Sequence, residues 1–142
     1  MAPGADEGPE AAAQRGRLAA AALLVEVVRS DSEFSEAGRE AVLSAARRKF
    51  GLDESESRQL IELAEAEASE AHDLYQFTSQ INASFTAGQK ARLIEELWRV
   101  AYSDDVLHRY EEHVIRKVAD LIHVSHSTFI AAKLRVQAGQ PD

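Results

Sequence analysis

The chain has 142 residues, 24 acidic against 16 basic side chains and a formal net charge of -8, a size that suits one domain. An acidic balance argues against nonspecific binding to nucleic acid or to anionic membrane, both of which need a positive surface. The absence of Cys excludes disulfides, thiolate metal sites and Cys nucleophiles, and an aromatic content of 6% disfavours base-stacking platforms.

All three prolines, Pro3, Pro9 and Pro141, lie near the ends, so between Glu10 and Gln140 every residue keeps its backbone donor. The simplest reading is all-α. Residues 1–13 are rich in Ala, Gly, Pro and acidic groups and read as a disordered tail, 14–138 as one helical domain and 139–142 as a short tail. The acidic start lacks the basic region of a signal peptide. The apolar run at 18–25 falls short of the roughly 20 residues a membrane span requires, so a cytoplasmic protein is expected.

The first helix is expected over about 13–30, with Leu24, Val28 and Asp31 following i, i+4, i+7. After a break at 30–35, Ser35 is a candidate N-cap for a second helix, about 36–50, that buries Val42, Leu43, Ala46 and Phe50 and ends at a left-handed Gly51. Asp53 and Glu56 form a capping box for a third helix, to about 67, with a stripe of Leu60, Ile61, Leu63 and Ala64. A fourth helix carries Leu74, Phe77 and Ile81, and Tyr75, Phe77 and Phe85 are expected to pack the centre. Thr86 and Gln89 make a second capping box, opening a fifth helix with Leu93, Leu97, Val100 and Asp104 on one side. A break at 103–107 precedes a sixth helix, about 109–122, that buries Val114, Ile115, Val118, Leu121 and Ile122. Ser125 caps the last helix, with Val124 and Phe129 as a hydrophobic staple.

The chain contains a diverged repeat. Val25, Val28, Val42, Leu43, Ala46, Phe50 and Leu52 match Leu97, Val100, Val114, Ile115, Val118, Ile122 and Val124 at a shift of 72, and Asp31 matches Asp104 at 73. Two such halves would pack about a pseudo-twofold axis and bring their acidic breaks into a related arrangement. In the second copy Asp104 ends one helix, and Glu111 and Glu112 fall in the first turn of the next, Glu111 at the rim of the buried stripe. Carboxylates aimed at one corner repel and require a cation, a proton or a basic side chain between them. An all-oxygen set suits a hard divalent ion, Ca²⁺, Mg²⁺ or Mn²⁺ ahead of Zn²⁺. The alternative is a metal-free interaction module whose acidic residues only cap helices, since the helix dipole favours acids in a first turn. An EF-hand is rejected: from Asp31 the sixth and twelfth positions are Glu36 and Val42, and from Asp104 they are Arg109 and Ile115.

Other signals are weaker. His108, with His113 beside it, shares a face with Asp104, Glu111 and Glu112, which is the only basis for a transition-metal site or a small hydrolase or isomerase. His123 and His126 flank a helix junction they would help cap. No GxSxG, HExxH, GxGxxG or Gly-rich phosphate loop is present, and a non-enzymatic protein is expected. Arg47, Arg48 and Lys49 would complement a helix C-terminus, Glu65, Glu67 and Glu70 would form a solvated acidic face, and Trp98 belongs in the core.

The breaks at 30–34 and 103–113 resemble the twice-used signature of TerB-like domains, an Asp-Gly-x-apolar turn followed by Glu in the next helix. Segments 73–78 and 124–133 resemble the family as well, so the likeness covers about 18–136. It implies an all-α bundle of about seven helices in two similar halves, and an acidic cluster proposed to bind divalent metal. The turn Gly is Ser32 in one copy and Asp105 in the other, and the first copy's Glu position is Gly38, with Glu40 two residues on. The resemblance therefore makes Asp104, Glu111 and Glu112 the better-preserved site, and Asp31 with Glu40 or Glu33 an altered one. The family is named for tellurite resistance, and related domains occur beside DnaJ-like modules and with membrane partners. That implies an adaptor or sensor in a metal or chemical stress response, whose partners are other proteins, membrane-associated ones included.

Overall fold

The computed structural model describes residues 8–29, 36–103 and 109–139. Among them run seven helices: α1 (Pro9–Arg29), α2 (Glu36–Phe50), α3 (Glu54–Glu70), α4 (Tyr75–Ser84), α5 (Ala87–Ala101), α6 (Arg109–Leu121) and α7 (His126–Gly139). Expectations for Ser35, for residues 30–35 and for Asp104 to His108 lie outside the described residues.

Local chemistry explains most boundaries. Both capping boxes form. The Glu56 N–H donates to Asp53 Oδ1 at 2.7 Å and the Asp53 N–H to Glu56 Oε1 at 2.9 Å. At the start of α5 the reciprocal Thr86–Gln89 bonds are 3.2 and 2.8 Å. Ser125 Oγ accepts from the Thr128 N–H at 3.2 Å and caps α7. Helix α1 begins at Pro9, earlier than the expected residue 13, because proline at the first helical position wastes no donor and presets φ. The junction between α3 and α4 falls at Ala71, and Asp73 Oδ1 accepts the Tyr75 N–H at 2.8 Å to start α4.

The 18–25 run lies in the middle of α1, where Ala19 to Val25 are buried on every side, as the central helix of a bundle requires. Helix α1 packs on α2, α3, α4, α5 and α6. The architecture obeys the repeat: α1 and α5 pair at the centre, α3 covers α1, and α7 covers α5. Helix α2 also reaches α5, α6 also reaches α1, and α4 bridges the halves. The two left-handed residues among the described ones coincide under the same shift, Gly51 at φ 65° and His123 at φ 64°, each two positions before an N-cap, Asp53 and Ser125. At His123 the chain makes a Schellman motif, with Val124 N–H to Ala119 O at 2.9 Å and His123 N–H to Asp120 O at 3.2 Å.

Two expected core residues are on the surface. Leu63 is 59% exposed and Tyr75 67% exposed. Helix α3 packs mainly on α1 and α2, so its buried apolar stripe narrows to Ile61, Ala64 and Ala68, and Tyr75 at the start of α4 is exposed. Phe77 is buried and Phe85 half-buried, as expected of central packing.

Candidate functional site

The acidic corner expected from the sequence falls at the α5–α6 junction. Helix α5 closes with Tyr102 N–H donating to Trp98 O at 3.0 Å and Ser103 N–H to Val100 O at 3.2 Å. Residues 104–108, Asp104 among them, lie outside the described residues, and α6 starts at Arg109. Glu111 is the third residue of α6 and is only 5% exposed, so it lies deeper than the rim position its spacing suggests. It is engaged by the rest of the chain. Its place in the first helical turn suits a carboxylate, because the unpaired N–H groups there carry positive potential.

Glu112, its neighbour, is met by basic side chains. Lys133 Nζ of α7 bonds Glu112 Oε1 at 3.2 Å, and Arg116 approaches the same oxygen at 3.9 Å. Its charge is therefore balanced inside the protein. Lys133 Nζ also sits 5.2 Å from the Trp98 ring centre, a cation–π distance. Beneath it, Trp98 stacks on Tyr102 at 6.1 Å and meets Phe129 at 5.1 Å, while Gln137 Nε2 donates to the Tyr102 hydroxyl at 2.9 Å. Trp98 is fully buried, as expected, and its Nε1 has no partner among the described residues.

In the first half, Gly38, where the resemblance places the expected Glu, is buried, Glu40 is exposed, and Asp31 lies outside the described residues. Of the five candidate ligands, three lie among the described residues: Glu111 is buried, Glu112 is salt-bridged and Glu40 faces solvent. Among the described residues no group of three or more His, Asp or Glu side chains converges as metal ligands would. The carboxylate oxygens of the candidate residues are donors that suit a hard divalent ion, and of the described pair Glu111 and Glu112 only Glu111 is buried. His113 and His123 are exposed, and His126 lies against the Phe129 ring at 5.9 Å.

A second buried carboxylate escaped the sequence reading. Glu96 is 4% exposed and receives three hydrogen bonds from Arg48, from Nε at 3.0 and 3.2 Å and from Nη2 at 2.6 Å. Arg99 adds one at 3.0 Å. Arg48 therefore pairs with a helix 48 residues away rather than with its own helix end, and hydrogen bonding to Glu96 holds its pKa above the ordinary value. The signal was present: Glu96 is three residues after Leu93 and four before Val100, on the apolar stripe of α5. Glu65 of the expected solvated face is likewise claimed by Arg39.

The fold defines a class: an all-α domain of two pseudo-symmetric halves with a carboxylate buried at the turn into one half's second helix. The family model described as tellurite resistance protein TerB matches residues 17–134, most of the chain, and the protein belongs to that family. No curated protein and no solved structure gives a match. No helix of the described residues is long and apolar enough to cross a membrane.

Proposed function

We propose that this TerB-family domain is a non-enzymatic, cation-responsive adaptor. A divalent ion, Ca²⁺, Mg²⁺ or Mn²⁺, would be held at the α5–α6 corner by Asp104 and Glu111, joining two helices and setting the shape of a surface that contacts another protein, soluble or membrane-associated. A role in a metal or chemical stress response, tellurite resistance included, follows the family's description. The observation that carries the reading is the burial of Glu111 beside a break that supplies further carboxylates. A buried carboxylate in a first helical turn is a donor of the kind hard divalent ions take.

Calorimetric titration with Ca²⁺, Mg²⁺, Mn²⁺ and Zn²⁺, paired with thermal melts, tests this. The expected result is saturable heat and a raised melting temperature with a hard cation, both lost in Asp104→Asn and Glu111→Gln. Absence of heat and of any melting shift with all four ions overturns it. A metal-free docking module is the second reading. The pairing of Glu112 with Lys133 and Arg116 favours it, because it shows one acid of the corner neutralised by the protein itself.

A further inference from the structure

Three basic side chains from three helices, Arg17 of α1, Lys49 of α2 and Arg92 of α5, line one cavity of about 220 Å³ together with Phe50, Phe85 and Gln89. In a chain this acidic, carboxylates claim many of the cations: Arg39, Arg48, Arg58, Arg99 and Arg135 each hold one. Arg17, Lys49 and Arg92 form no ion pair with any carboxylate among the described residues. The acid near Lys49 is Glu96, already occupied by Arg48 and Arg99.

The cations are also positioned. Lys49 Nζ bonds Gln89 O at 3.4 Å and lies 5.4 Å from the Phe85 ring centre and 5.8 Å from that of Phe50. The Arg17 guanidinium carbon lies 5.4 Å from the Phe50 ring centre as well. Burial, then repulsion from Arg92, holds Lys49 below the usual lysine pKa, with Glu96 opposing. Such a cluster of like charge disfavours itself, and an anion between its members removes the conflict. The volume lies below the roughly 300–1,000 Å³ of pockets that enclose drug-sized ligands, so the fit is to a compact group rather than a bulky cofactor.

We propose that the α1–α2–α5 cavity is a phosphate-binding site in which Arg17, Lys49 and Arg92 jointly hold the dianionic group of inorganic phosphate or of a small phosphate monoester. Guanidinium groups present paired donors that match phosphate oxygens, and the ammonium of Lys49 supplies a third point of charge. The half-buried Phe50 and Phe85 keep the cavity partly dry, which strengthens each contact.

The test is titration of the full chain, in chelator and at fixed ionic strength, with inorganic phosphate and with glycerol 3-phosphate, followed by calorimetry. Saturable millimolar or tighter binding is expected, weakened about tenfold or more in Lys49→Met and in Arg92→Gln, as loss of one charge-assisted contact predicts. Arg92 is exposed, so its variant keeps the core intact, and Arg58→Gln on α3 is a control expected to bind normally. Comparable or tighter binding of glycerol 3-phosphate identifies a monoester site, and binding of inorganic phosphate alone identifies a free-phosphate site. Failure to saturate, equal displacement by acetate or chloride, or unchanged affinity in both variants overturns the proposal. Chelator keeps divalent ions out of this titration, so its outcome is independent of the acidic corner.

Discussion

Glu26, Glu96 and Glu111 each stand where an apolar residue would continue a helical stripe, and Glu26 and Glu96 meet the cost of burial differently. Glu96 is matched by two arginines. Glu26 is less fortunate: Arg29 approaches only to 3.8 Å, and burial outweighs that attraction, raising the Glu26 pKa above 4.5. The folded state then holds its proton more tightly than the unfolded chain. Stability from this group is complete below about pH 4.5 and is lost as pH rises through the elevated value. Glu26→Gln is expected to stabilise the protein at neutral pH and to make little difference in acid, which urea unfolding at the two pH values will show. The stripe positions of these acids were legible by counting from neighbouring leucines and valines. Their partners were not, because Arg48 and Glu96 are brought together by packing of α2 on α5, far apart in the chain.

Helix starts were the most legible elements, since a capping box or a Ser N-cap is complete within four residues. Helix packing depended on contacts across the fold, and Gly16 shows why. A Cβ at Gly16 would lie 2.4 Å from Ser84 Oγ and 3.0 Å from Phe85 Cε1, so this glycine sets how closely α1 approaches the end of α4. Ser84 Oγ donates to Gln80 O at 2.8 Å and cannot swing away without losing that bond. Gly16→Ala is expected to destabilise by about 1–2 kcal/mol, overpacking outweighing the roughly 1 kcal/mol that alanine gains in a helix. Gly88→Ala, in the first turn of α5 with only Thr86 Oγ1 at 4.0 Å, is expected to stabilise by up to about 1 kcal/mol. Thermal melts of the two variants check both signs.

Because α1 touches helices of both halves, neither half has a core of its own. Unfolding is expected to be a single cooperative transition, the usual behaviour of a domain of this size. Trp98, the sole tryptophan, reports on the second half, whereas far-UV circular dichroism reports on all helices. Coincident midpoints from the two probes, in urea, are the expected result; an early fluorescence transition would show the halves separating. The amino-acid order alone settled the all-α class, the repeat, the two capping boxes with the Ser125 cap, and the burial of Trp98, since each rests on spacing within a few turns or on a match between two segments. Exposure of Leu63 and Tyr75, the pairing of Arg48 with Glu96, neutralisation of Glu112 by Lys133, and the meeting of Arg17, Lys49 and Arg92 were decided only when the helices packed. A helix's own sequence states which face is apolar, but how wide that face must be, and which distant charge will meet it, depends on the neighbours that cover it.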